Sequence, residues 1–170
     1  MGVLTGKRCY LGGPIEHATS VDWRPPVKNS LSAKFGIDVF DPAADPKQQM
    51  VPQLKHARIT KDLKAIKKVS EKFVRKDLGL VDRCDFLISC LPAGVPTTGG
   101  VHEIIDANER KKPTLLVCPD GAEHLPYWYF GFIRLKYMFG SFEELYEYLD
   151  KVNRGKCKKD DRWAFVYGLI

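Results

Sequence analysis

The 170-residue chain has no apolar run approaching the roughly 18 residues that a membrane-spanning helix needs. Its opening, Met1-Gly2-Val3-Leu4-Thr5-Gly6-Lys7-Arg8, lacks an apolar signal core. Gly6 stands where a myristoylation signal carries Ser or Thr. A cytoplasmic protein without a membrane partner is therefore expected. Cysteine is sparse: Cys9, Cys84, Cys90, Cys118 and Cys157 are odd in number, and no two have Cys-x-x-Cys spacing. Cys84, Cys90 and Cys118 sit in or beside apolar runs, where a thiol behaves as a small hydrophobe. Neither a disulfide framework nor a metal site is expected. A Walker loop and a three-glycine dinucleotide fingerprint are missing too.

The formal net charge is +6, which raises the question of nucleic acid. Much of the excess lies in Lys61, Lys64, Lys67, Lys68, Lys72, Arg75 and Lys76. On a helix these fall opposite the apolar positions, as a solvated face does. No aromatic residue stands on that basic side to form a stacking platform. Nucleic acid is not the expected partner.

Along the chain, strand-like and helix-like segments alternate. Cys9-Tyr10-Leu11 reads as a strand ending in Gly12-Gly13-Pro14. A helix is expected over residues 21–35, with Pro25 and Pro26 tolerable in its first turn. Residues 37–40 form a second strand, stopped by Asp41-Pro42. One long helix is expected over 54–81, a central strand over 84–91 and a helix from the glycine turn to about 110. Strands at 113–118 and about 133–139 and a helix over 141–153 follow, with Ser141 as N-cap and Glu143 and Glu144 suiting the dipole.

This alternation predicts an α/β fold: a doubly wound, flavodoxin-like or Rossmann-like sheet of about five mainly parallel strands flanked by helices. Residues 1–154 form the single domain. Residues 155–170 form an aromatic tail that must dock on the domain or on a neighbouring subunit.

In such sheets ligands bind beyond the carboxyl ends of the strands. Gly12, Gly13 and Pro14, then Asp41, then the turn with Gly99 and Gly100 occupy those positions. Two carboxylates stand out. Asp77 shares a helical stripe with Leu63, Ile66, Val69, Phe73, Leu80 and Val81, a costly place for an acid without a partner. The structural alternative is an acid capped, or paired with Arg83 or Arg75. Glu103 follows the turn Thr97-Thr98-Gly99-Gly100-Val101-His102. With Val101, Ile104, Ile105 and Asn108 as the inward stripe, Glu103 is expected to point away from the core as a first-turn glutamate. Two carboxyl groups on one sheet edge suit a reaction through an oxocarbenium-like state.

Tyr10-Leu11-Gly12-Gly13-Pro14-Ile15, Asp41-Pro42, Arg75-Lys76-Asp77-Leu78 with Asp82 and Asp85, and Gly99-Gly100-Val101-His102-Glu103 resemble the nucleoside 2-deoxyribosyltransferases, in the branch often carried by bacteriophages. The likeness keeps its order over about residues 8–150. It implies exchange of nucleobases on 2'-deoxyribose, with free deoxynucleosides and nucleobases as partners and no cofactor. It implies Glu103 as the nucleophile that forms a covalent deoxyribosyl-enzyme, and Asp77 as the acid serving the departing base. Tyr10 is implied to position the nucleophile, and Gly12, Gly13 and Asp41 to line the pocket.

The chain departs from the family where Gly100 replaces a usual threonine and Ile104-Ile105 a usual Leu-Gly. Related glycosidases hold a 5'-phosphate after the first strand. Here Glu16 opposes a phosphate while His17, Ser20 and Arg24 favour one, and nucleosides are the preferred substrates. The alternatives are hydrolysis of a 2'-deoxynucleoside 5'-monophosphate and a non-catalytic nucleotide-sensing module. The family's shared pockets imply a homo-oligomer. Residues 127–130 and 163–167 supply aromatics for an interface or for the core.

Overall fold

Five short apolar runs pair into one parallel sheet because helices cover both of its faces, leaving alternate residues on each side equally dry. The computed structural model describes residues 2–15 and 22–169. The strands are β1 (Arg8–Gly12), β2 (Asp38–Phe40), β3 (Phe86–Cys90), β4 (Thr114–Val117) and β5 (Met138–Phe139). Their spatial order is β2-β1-β3-β4-β5, all parallel. This is the doubly wound, flavodoxin-like order, and it places a switch point between β1 and β3. There Tyr10 aligns with Leu87, and Gly12 with Ser89. Every residue of β3 and β4 is buried.

Six α-helices are described: α1 (Arg24–Phe35), α2 (Val51–Ile59), α3 (Leu63–Arg83), α4 (Thr98–Glu109), α5 (Tyr127–Phe130) and α6 (Phe142–Asn153). Helices α3 and α4 pack together on one face, and α1 and α6 on the other. Pro25 and Pro26 sit in the first turn of α1. The expected start of that helix at Val21 lies outside the described residues, as do Glu16, His17 and Ser20. Ser141 caps α6, its Oγ accepting the N–H of Glu144 at 3.2 Å.

The long helix expected over 54–81 is two helices. Lys61 takes a left-handed φ of 56°, and Asp62 Oδ1 accepts the N–H of Ala65 at 2.9 Å, starting α3 afresh. Thr60-Lys61-Asp62 carries no glycine or proline, so the apolar period runs through the break. The first part of α3 is wetter than its stripe implies, with Leu63 75% exposed. The expected fifth strand shrinks to two residues, because a 3-10 turn occupies Leu135–Tyr137.

The tail packs on its own domain. Trp163 is fully buried, 5.3 Å from the ring of Phe86, and its Nε1–H donates to Tyr148 Oη at 2.8 Å. Asp160 accepts from Tyr137 Oη at 2.8 Å and from Arg134 Nη1 at 2.8 Å. Tyr167 Oη donates to the Val152 carbonyl at 2.8 Å. Phe86 opens β3, so the tail closes the end of the sheet opposite the strands' carboxyl ends. Tyr129 is buried, whereas Tyr127 and Trp128 are exposed. Among the described residues no helix is long and apolar enough to cross a membrane.

Candidate active site

Loops leave a parallel sheet at its carboxyl end, and at the β1/β3 switch point they diverge to opposite faces and open a crevice. Two glycines let the chain pass there. Gly13 has φ 137°, and a Cβ on it would lie 2.5 Å from the Cys90 carbonyl oxygen. A Cβ on Gly12 would stand 3.3 Å from Glu103 Oε2 and 3.3 Å from Ser89 Oγ. The bare backbone at Gly12 is the space into which Glu103 fits.

Glu103 reaches that space from α4. Thr97 Oγ1 accepts the N–H of Gly100 at 3.2 Å and caps the helix, which sets Glu103 in the second turn and not the first. The buried stripe is Gly100, Glu103, Ile104 and Ala107. The expected outward orientation is thus overturned: Glu103 is 8% exposed, and Val101, assigned inward, is 37% exposed. The physical reason is tertiary packing: the face that carries the small residues Gly100 and Ala107 is the buried one, and it brings Glu103 with it. Gly99 has open space where a Cβ would be, whereas a Cβ on Gly100 would meet Thr97 Oγ1 at 2.6 Å.

Among the described residues the buried carboxyl has one hydroxyl donor. Tyr10 Oη donates to Glu103 Oε1 at 2.7 Å. Burial pushes Glu103 up from 4.5 to about 7, against the Tyr10 hydrogen bond and the charges of Lys47 and Arg24, which pull it down. Burial, joined by the charge of Glu103, also raises the Tyr10 phenol far above its ordinary range, so it stays a donor.

Asp77 is 19% exposed in its side chain and forms an ion pair with Lys47. The arginine partners considered from sequence are replaced by a lysine from a loop. Lys47 lies in the 3-10 segment Pro46–Met50, its side chain 2% exposed. Its backbone N–H donates to Asp45 Oδ1 at 2.8 Å, and Asp45 also pairs with Lys76 at 2.7 Å. Asp41 has a structural task. Its Oδ1 accepts the N–H of Ala43 at 2.9 Å and lies 3.7 Å from Arg24 Nε. Arg24 is 3% exposed, and its Nη2 donates to the carbonyls of Gly13 at 3.0 Å and Pro14 at 3.3 Å. The guanidinium thereby ties the glycine turn to α1.

The fold thus brings Tyr10, Gly12 and Glu103 into direct neighbourhood and carries the charge of Lys47 to both Asp77 and Glu103. No family model matches the chain, and no curated protein matches it. Among the described residues no cluster of three or more His, Cys, Asp or Glu is placed to hold a metal ion.

Two residues of this neighbourhood escaped the sequence reading. Lys47 belongs to a stretch with no periodicity, where lysine reads as solvated. Ser89 lies in an apolar strand; it is fully buried, and its Oγ has no hydrogen-bond partner among the described residues. An open groove of about 440 Å³ is lined by residues of the β3–α4 loop and its neighbours, among them Pro92, Val95, Thr98, Val101, His124 and Tyr129.

Proposed function

We propose that the protein is a nucleoside 2-deoxyribosyltransferase, exchanging nucleobases on 2'-deoxyribose through a covalent ester on Glu103. The observation that carries this reading is the hydrogen bond from Tyr10 Oη to a buried Glu103 at 2.7 Å. It gives a carboxylate desolvated enough to be a reactive nucleophile and held in one orientation by a single phenol.

The steps balance as a retaining double displacement. One Glu103 oxygen forms a bond to C1' as the C1'–N bond breaks, and the bonding pair stays on the base nitrogen. The departing base takes a proton from the Asp77 side of the site. An incoming base then attacks C1', loses its proton to the same group and releases the carboxylate. At about 7, Glu103 is substantially ionised at neutral pH yet more basic than a wetted glutamate. Tyr10 stays hydrogen-bonded to the carboxyl as its charge is lost and regained, and the bare backbone of Gly12 keeps the Glu103 carboxylate in its place.

One incubation tests the reading. Deoxyadenosine supplied with cytosine is expected to yield deoxycytidine and adenine without free deoxyribose, and Glu103→Ala is expected to abolish this in a folded protein. Release of deoxyribose alone, from the nucleoside or its 5'-monophosphate, makes the protein a hydrolase. No turnover of either substrate overturns an enzymatic function for the site.

A further inference from the structure

A lysine ammonium taken out of water is expensive unless its charge is used. The Lys47 side chain is 2% exposed, although it sits in a surface loop where a lysine ordinarily snorkels to solvent. The charged groups around it come from three elements. Asp45 precedes its own 3-10 segment, Asp77 and Lys76 come from α3, and Glu103 from α4. The ring of Phe73 lies 5.6 Å from Nζ and closes the apolar side. Asp77 Oδ1 is buried against the ammonium, so the remainder of that side chain supplies its 19% exposure. Asp77 therefore meets Lys47 through a buried oxygen and keeps the rest of its carboxyl partly open to solvent.

An ion-paired aspartate carries no proton, whereas the proposed reaction asks the Asp77 side of the site to supply one. We propose that Lys47 holds that proton at rest and hands it to Asp77, which passes it to the departing base. The inference rests on the transferase reading. At rest the pair is an ammonium and a carboxylate. As the C1'–N bond breaks, Lys47 Nζ gives a proton to Asp77. The neutral carboxyl, released from its ion pair, gives it to the base nitrogen that kept the bonding pair. Lys47 is left as a neutral amine, and the charge it loses matches the charge Glu103 loses on forming its ester. The incoming base returns the proton along the same route. Lys47 touches no substrate and is a positioning residue that acts through Asp77.

Burial lowers the cost of this transfer. Burial, helped by the nearby Lys76, holds the Lys47 amine below its ordinary value, while Asp45 and Glu103 oppose the shift. A buried lysine gives up its proton more readily than an exposed one, and an arginine in its place keeps its proton throughout.

The test compares Lys47→Arg with the wild type on two substrates: deoxyadenosine, whose base must be protonated, and 4-nitrophenyl 2-deoxyriboside, whose phenolate leaves without a proton. With an unchanged melting profile, Lys47→Arg is expected to slow adenine release about 100-fold, the scale of one general acid, and to release nitrophenolate near the wild-type rate. The alkaline limb of the wild-type profile on deoxyadenosine is expected to be absent with nitrophenyl deoxyriboside. Equal losses on both substrates, or no loss on deoxyadenosine, overturn the relay while leaving the transferase standing. A wild type that cleaves neither substrate overturns both. A nitrogen NMR titration of Lys47 in the unmodified protein gives a readout without any variant: an amine titrating at or above the ~10.4 of a free lysine also overturns the relay.

Discussion

Tyr10 and Glu103 lie 93 residues apart in the chain, and the phenol of the first donates to the carboxyl of the second at 2.7 Å. The contact joins β1 to α4 across the switch point, so both walls of the crevice share one hydrogen bond. Tyr10 is fully buried and Glu103 nearly so, and the bond therefore forms without competition from water.

Tyr10→Phe removes the donor and keeps the ring. A hydrogen bond to the ionised form lowers a carboxyl pKa, so its loss is expected to move Glu103 above its present value of about 7. A carbon NMR titration of the Glu103 carboxyl follows the shift directly. The acid limb of the activity profile is expected to rise with it, and a carboxyl titrating at or below the wild-type value refutes the assignment.

The same group makes stability depend on pH. Glu103 titrates at about 7 when folded, against an ordinary 4.5. Between those values the folded state holds a proton that the unfolded chain has lost, so stability falls as pH rises through the window. Below about 4.5 both states are protonated and the penalty vanishes. At about 1.4 kcal/mol per unit, the full loss is about 3 kcal/mol. Urea unfolding of wild type and Glu103→Gln at pH 5 and 7.5 isolates it: the substitution is expected to be more favourable at the higher pH.

Gly12→Ala adds one carbon at a place 3.3 Å from Glu103 Oε2. The carboxylate must give way by a few tenths of an ångström, whereas the strand backbone need not move. Activity is expected to fall more than about tenfold, on the way to the roughly hundredfold that a 1 Å misplacement costs. Thermal unfolding is expected to change little, and a variant that unfolds at much lower temperature refutes this reading of Gly12.

Trp163→Ala tests whether the tail is part of the domain. Removing a fully buried indole that packs on Phe86 is expected to cost about 3–5 kcal/mol, read from the urea midpoint. A change under about 1 kcal/mol, ordinary for a surface substitution, shows that the tail does not contribute to the core.

The sheet was legible because β3 and β4 are nearly continuous apolar runs, broken only by Ser89 and Thr114, a pattern that strands covered on both faces produce. Ser141 and the two prolines of α1 marked helix starts by local chemistry alone. The break at Lys61 was not legible, because a left-handed lysine has no sequence signature and Asp62 looks like any charged residue on a wet helix. The orientation of Glu103 was misread because the buried stripe uses the small residues Gly100 and Ala107, whereas Val101 and Ile105 carry the apolar signal without being fully buried.

By itself the sequence determined the alternation of strands and helices, the loops that end at the crevice and the two carboxylates that stand out from their surroundings. These follow from local propensity and periodicity, which act between near neighbours. Tertiary structure alone decided which groups face those acids. The phenol of Tyr10 turns to Glu103, the space at Gly12 admits it, and the buried ammonium of Lys47 rests on Asp77. Charge and hydrogen bonding act through space, and only the folded chain brings residues 10, 47, 77 and 103 within their range.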